Sequence, residues 1–179
     1  MSRFDQLQYI SRHNHRALVH HPVDDPYLGK PKSNVAIQLM QDGPIGVSWR
    51  YGDATIEKTF DARIEVEVDP LSDLLVVIGH WGSSIGEFTT PDNGVVFNPD
   101  GAIHRRILVP PRITRTDLHN VLSPDSTRVL VPEALTLVHR KPEGIELWLS
   151  YLDGDWHEIR MYDPKTGEWG ETKGQYRAV

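Results

Sequence analysis

The chain contains no cysteine among its 179 residues, which excludes disulfide bonds, thiolate metal sites and a cysteine nucleophile. Long apolar runs are also absent. A membrane-spanning helix needs roughly 20 apolar residues, whereas the longest run here, residues 74–78, has the length of a strand. The first residues lack the apolar segment of a signal peptide. These absences predict a cytoplasmic protein without a membrane segment.

Positive charge is scarce as well, because 19 Lys and Arg residues stand against 25 Asp and Glu residues, for a formal net charge of −6. Proteins that bind nucleic acid usually present a basic surface that neutralises phosphates. Basic stretches here are as short as His104-Arg105-Arg106. The charge balance disfavours nucleic acid as a partner and fits a cationic partner, or simply solubility.

Residues 1–33 differ in pattern from the rest of the chain. Phe4, Leu7 and Ile10 recur at helical spacing, which predicts a short N-terminal helix. The residues that follow are rich in turn formers and predict an irregular arm. This arm holds four histidines, His13, His15, His20 and His21. Imidazole is a ligand of zinc, but an irregular arm without thiolates favours a solvated segment, so we predict neither a metal site nor a cofactor.

From residue 34 onward, alternating apolar and polar residues predict antiparallel strands. The pattern is clearest over residues 63–69, where even positions are apolar and odd positions are charged. It predicts one buried face and one face in water. Residues 74–78 are apolar throughout, which is typical of a central strand covered on both faces. One short helix is predicted near residues 116–122.

Three tight turns interrupt this β region, at Gly52-Asp53, Pro99-Asp100 and Pro164-Lys165. Pro fixes φ at the first corner of a turn, and Gly accepts the left-handed position at its end. Each turn joins two strands and follows a third, which predicts a repeated meander. The chain is short for a β-propeller of at least four blades. We therefore predict one mainly β antiparallel domain over residues 34–179, built as a curved sheet, a sandwich or a partial propeller-like barrel.

Two stretches resemble functional motifs, a nucleophile elbow and a calcium-binding loop, but each lacks a feature that the motif requires. Gly82-Ser83-Ser84-Ile85-Gly86 matches the nucleophile elbow of hydrolases, but the elbow needs a helix directly after the serine. Residues 87–94 instead read as a strand edge or loop. The stretch from Asp153 to Asp155 starts like a calcium loop, yet the Gly and Glu that complete an EF-hand are absent. We predict no catalytic residue.

Aromatic residues carry the most informative signal. Trp148 interrupts the polar side of an alternating strand, and Trp81 stands in a loop-like context. Aromatic side chains in such places are enriched at binding sites, because they supply large contact area at low entropic cost. We predict a partner-binding surface in which acidic residues surround aromatic ones, formed by Trp81, Trp148, Trp156, Asp153 and Asp155.

These features predict a non-catalytic module that binds a protein, for example an inhibitor or an immunity protein that neutralises a partner enzyme. Two alternatives remain open. One is a metal-dependent or acid–base enzyme that uses histidines, for which a deep pocket with converging His and carboxylate groups would argue. The other is a structural or assembly subunit, whose edge strands pair into an oligomer.

The absence of thiolates and the poor spacing of the histidines lead to a test. We expect the chain, purified without an affinity tag, to carry no stoichiometric zinc, iron or manganese, as measured by elemental analysis. A value of about one metal ion per chain would contradict this expectation and favour the enzyme alternative.

Overall fold

The computed structural model of the chain describes residues 4–19, 43–111, 131–151 and 156–177. The strands in these residues are β1 (Asp5–Ser11), β2 (Arg16–Leu18), β3 (Pro44–Tyr51), β4 (Ala54–Thr59), β5 (Ile64–Val68), β6 (Leu75–Gly79), β7 (Gly94–Phe97), β8 (Ile103–Arg106), β9 (Ala134–Lys141), β10 (Gly144–Tyr151), β11 (Trp156–Tyr162) and β12 (Trp169–Arg177). A 3₁₀ turn, His80–Gly82, follows β6. Within the same residues, no helix has the length and apolar character needed to cross a membrane.

The strands form three antiparallel sheets of four strands each, and none of the three closes on itself. Their orders are β2-β1-β3-β4, β5-β6-β7-β8 and β12-β11-β10-β9. Neighbours in the second and third sheets are consecutive in the chain, as the predicted meanders require. The prediction of a mainly β fold built from antiparallel hairpins is confirmed.

The second sheet lies between the other two. Alternate residues of β6 enter two different cores, because Leu75 and Val77 pack with the first sheet and Val76 and Ile78 pack with the third. All four side chains are fully buried. A strand with two covered faces has no place for polar residues, which explains its uninterrupted apolar sequence. Each buried aliphatic side chain of this size contributes roughly 1.5–3 kcal/mol.

The three predicted turns lie where the sequence places them, in the β3–β4, β7–β8 and β11–β12 hairpins. In the second and third of these turns the closing glycines have left-handed φ angles, 86° at Gly101 and 78° at Gly167. Each glycine donates its N–H back across the turn, to the carbonyl of Asn98 or Asp163. Local turn chemistry therefore suffices to position these hairpins.

The predicted N-terminal helix is wrong, because residues 5–11 form strand β1, which pairs with β2 and β3. The ladder between β1 and β3 shifts register between Asp5 and Gln8, and Gln6 in this bulge has a φ of 55°. A bulge adds one residue to the two-residue repeat of a strand. Phe4 and Leu7 can therefore enter the same core at a spacing of three, which imitates a helical pattern. The helix predicted near residues 116–122 and the domain boundary predicted at residue 33 lie outside the described residues.

A buried amide, that of Asn93, joins the second sheet to the third. Its Oδ1 accepts the N–H of Leu135 at 2.8 Å, and its Nδ2 donates to the Leu135 carbonyl at 2.8 Å. The same Nδ2 also donates to the carbonyls of Gly79 and Ser83, at 3.3 and 3.2 Å. Because the side chain is fully buried, no water is available to replace these bonds. The amide therefore links the end of β6, the segment after it and the start of β9.

Replacement of Asn93 tests how much its amide contributes to the stability of the fold. We expect Asn93→Ala to lower the free energy of unfolding by about 3 kcal/mol or more, because it leaves several backbone groups unsatisfied in the interior. Urea denaturation measures the change. The control is Asn98→Ala, which removes one hydrogen bond to His104 and should cost about 1 kcal/mol or less. Equal effects for the two variants would contradict the assignment.

Candidate functional site

Trp81 is the one exposed tryptophan of the five, with 60% of its surface accessible, and all five lie within the described residues. It occupies the middle of the His80–Gly82 turn with φ 50° and ψ 40°. This left-handed conformation costs an L-residue other than glycine roughly 1–2 kcal/mol. A bulky residue stays there only when the surrounding structure determines the backbone, and such strain clusters at functional sites.

The surrounding structure fixes this turn at both ends. Gly79 precedes it, and a Cβ on that residue would lie 1.6 Å from the Ser83 carbonyl oxygen, so only glycine fits there. Gly82 follows Trp81 with φ 82° and faces Ala134 of β9. The amide of Asn93 binds the carbonyls of both Gly79 and Ser83. The turn is therefore closed by contacts that do not involve the indole of Trp81.

A second contact holds the turn through His80. Its Nδ1 lies 2.5 Å from Oε1 of Glu65 on β5, and Oε2 of the same carboxylate accepts the N–H of Val138 on β9 at 3.2 Å. An ionised carboxylate only accepts hydrogen bonds, so Nδ1 carries the proton in this pair. Both side chains are about four-fifths buried. The odd-numbered face of β5, which the alternation predicts to lie in water, is thus partly covered by the third sheet.

The other predicted tryptophans contact their own chain. The Trp148 ring lies between those of His139 and His157, with centroids 5.6 and 6.0 Å away, and its Nε1–H donates to Glu146 at 3.2 Å. Trp156 packs against the core between the second and third sheets. Both residues lie on the third sheet, whereas Trp81 extends the second, so the predicted residues occupy separate elements. Asp153 and Asp155 lie outside the described residues.

Two further exposed apolar side chains lie on segments that lead to residues in contact with Asn93 or with the Trp81 turn. Leu108 is 62% exposed and Val131 is 56% exposed. The segment of Leu108 is tied to the residues around Asn93, because Ile107 N–H donates to Gly94 and Val109 N–H to Asp92. Val131 precedes β9, whose first residues contact Asn93 and Gly82. We call Trp81, Leu108 and Val131 the Trp81 surface.

The sequence predicts Trp81 as a binding residue but gives no signal for the residues that hold its turn. Glu65 stands in a strand where alternation indicates a solvated face, and Asn93 stands in an ordinary turn-forming stretch. The apolar residues Leu108 and Val131 carry no local pattern that distinguishes an exposed position from a buried one. The contacts of Glu65 and Asn93 join residues that are 15 to 73 positions apart in the sequence. A single sequence gives no direct signal for such contacts.

The serine of the elbow-like motif has a structural contact. The Oγ of Ser84 accepts the N–H of Thr90 at 3.2 Å, and Ile85 pairs with Phe88 in a tight bridge. Residues 83–93 contain no helix, so the geometry of a nucleophile elbow is missing. In the described part of the chain, no three His, Asp or Glu side chains are grouped closely enough to hold a metal ion.

The left-handed turn leads to a stability test with two variants of the same residue. In ordinary backbone, glycine is less stable than alanine by roughly 0.5–1 kcal/mol. At Trp81 we expect the reverse order, with Trp81→Gly more stable than Trp81→Ala by about 1 kcal/mol, because only glycine adopts this φ without strain. Urea denaturation of the two variants measures the difference. A more stable alanine variant would show that the turn relaxes when the indole is removed.

Comparison with known proteins yields a likeness of fold. No family model and no curated protein matches the sequence. Among solved structures, a chain from the structure of Tne2 in complex with Tni2 superimposes with a TM-score of 0.56 at 9% sequence identity. The match covers 98% of this chain and 99% of that chain. At this identity the two chains are similar in fold over nearly their whole length.

Proposed function

We propose that this chain is a non-catalytic protein-binding module of the immunity type, which neutralises a partner enzyme through the Trp81 surface. The observation that carries the proposal is the presentation of Trp81 itself. An exposed indole adds little to folding, and its backbone conformation opposes folding, so stability gives no reason for tryptophan at this position. Tryptophan is among the residues most enriched at the energetic centres of protein interfaces.

The architecture around Trp81 suits recognition by a preformed surface. Asn93 and the Glu65–His80 pair hold the turn from two directions. A side chain on a fixed backbone loses less conformational entropy when it binds, which improves affinity. Leu108 and Val131 add exposed apolar area on neighbouring segments, and clusters of such area are typical of interaction sites.

Two further findings support a protein as the partner. The solved structure with a similar fold is a complex of two proteins, Tne2 and Tni2. The net charge of −6 favours a partner with a basic surface, since complementary charge speeds association and disfavours wrong partners. The immunity-type role is the form of protein binding that we infer for an acidic module with an anchoring tryptophan.

Acid–base catalysis is the second candidate function, and the Glu65–His80 pair is the observation that favours it. A carboxylate that orients an imidazole through Nδ1 leaves Nε2 in the position of a general base. The two candidates differ in what loss of the imidazole does. His80→Gln abolishes turnover in an enzyme, whereas a binding module retains a partner complex that is weakened at most.

Truncation of the tryptophan tests the proposed function. We expect the wild-type chain, immobilised and exposed to lysate of its source cells, to retain a partner enzyme and to inhibit it when both are purified. Trp81→Ala should raise the Kd for that partner about 30-fold, equivalent to about 2 kcal/mol, because an anchoring indole is lost. Isothermal titration calorimetry measures the Kd, and an activity assay of the partner measures neutralisation.

The matched control is Leu71→Ala. Leu71 is 72% exposed and lies in the β5–β6 turn, at the opposite end of β6 from Trp81. Leu71→Ala should leave the Kd for the partner unchanged. Both Leu71→Ala and Trp81→Ala should melt close to the wild-type temperature. Binding that survives Trp81→Ala at full strength, or a retained partner whose activity the chain does not inhibit, would refute the proposal.

A further inference from the structure

We propose that Trp81, His80 and Glu65 form a subsite for a cationic side chain of the partner, with arginine the best fit. This inference rests on the proposed function, because it names the chemistry that the Trp81 surface recognises. The Trp81 surface was defined by exposed apolar side chains, and this inference adds the polar imidazole of His80 and the charged carboxylate of Glu65.

The hydrogen bond between His80 and Glu65 determines which ring nitrogen of His80 is an acceptor. Since Nδ1–H donates to Glu65, a neutral imidazole presents the lone pair of Nε2 as an acceptor. Within the described part of the chain, Nε2 makes no hydrogen bond with a side chain or backbone group. A group that replaces water at this nitrogen must be a donor. Guanidinium and ammonium groups are donors without acceptors, and they match this requirement.

The charge of Glu65 also favours a cation at this place. Among the described residues, the Glu65 carboxylate contacts the neutral imidazole of His80 and forms no ion pair with Lys or Arg. The Glu65 carboxylate therefore places a negative charge beside His80, which attracts a cation.

The indole of Trp81 lies beside the imidazole of His80. The rings of Trp81 and His80 are nearly perpendicular, at 82°, with centroids 5.9 Å apart. A cation bound over an indole lies within about 6 Å of its centroid, so one guanidinium can contact the Trp81 ring and also reach Nε2 of His80. Arginine fits better than lysine because its planar group stacks on the ring while its N–H groups donate at the edge.

A small probe tests the subsite without the partner. The ¹⁵N-labelled chain is titrated with N-acetyl-arginine amide and, separately, with N-acetyl-norleucine amide, a neutral analogue. We expect the ring ¹⁵N spectrum of the free chain to show His80 protonated on Nδ1 and unprotonated on Nε2. The arginine amide should then shift the His80 ring nitrogens and the Trp81 indole signal in a saturable manner. The norleucine amide at the same concentration should leave the His80 signals in place.

Variants of the subsite make the test specific. Glu65→Gln removes the charge but keeps an acceptor for Val138, and it should weaken binding of the arginine amide about fivefold. Leu71→Ala is the control and should bind as the wild type does. If Glu65→Gln melts at a much lower temperature, His80→Phe replaces it. Phenylalanine has no acceptor nitrogen, so this variant removes the acceptor while it retains an aromatic ring and the Glu65 carboxylate, and it should weaken binding to a similar degree.

The outcomes separate this inference from the proposed function. A proton on Nε2, an equal response to both amides, or unchanged affinity in the Glu65 and His80 variants would overturn the cationic subsite. If Trp81→Ala still weakens the partner complex in that case, the proposed function stands without it. If the arginine amide binds as expected but Trp81→Ala leaves partner binding intact, the subsite stands and the proposed binding surface is wrong.

Discussion

The hydrogen bonds of the Asn93 side chain are the constraint on which the described structure most depends. A buried amide without partners would oppose folding by several kcal/mol. The Asn93 side chain can therefore be buried only where backbone groups form hydrogen bonds with both its oxygen and its nitrogen. That condition fixes three segments at once, the end of β6, the segment after Trp81 and the start of β9. The second and third sheets are thereby placed relative to each other by direction-specific contacts, which hydrophobic packing alone does not provide.

The same constraint accounts for the candidate site. A turn closed by Asn93 and by the Glu65–His80 pair keeps its shape whatever the indole does. Trp81 can therefore occupy a left-handed conformation that its own side chain does not favour. The strain at one residue is offset by bonds made by others. In binding sites, one set of residues typically holds the backbone while a different, exposed residue contacts the other molecule.

The two cores explain why three open sheets form one stack. The second sheet presents apolar residues on both faces, and each face is covered by a neighbouring sheet. Trp49 of the first sheet adds a polar link, because its indole donates to the carbonyl of Pro99 in the β7–β8 turn at 2.6 Å. A predicted turn thus also serves as a contact between sheets. The stacked arrangement places turns such as His80–Gly82 at the ends of the strands, where none of their residues is buried.

The sequence by itself determined the features whose physics is local. The three hairpin turns follow from proline and glycine at fixed corners, and the central strand β6 follows from an uninterrupted apolar run. Tertiary structure alone decided that residues 5–11 are a strand, since a bulge imitates helical spacing. It also decided that Trp81 is exposed while the Trp148 ring contacts two histidine rings. The exposure of Trp81 and Trp148 depends on which distant segment comes to lie against each ring.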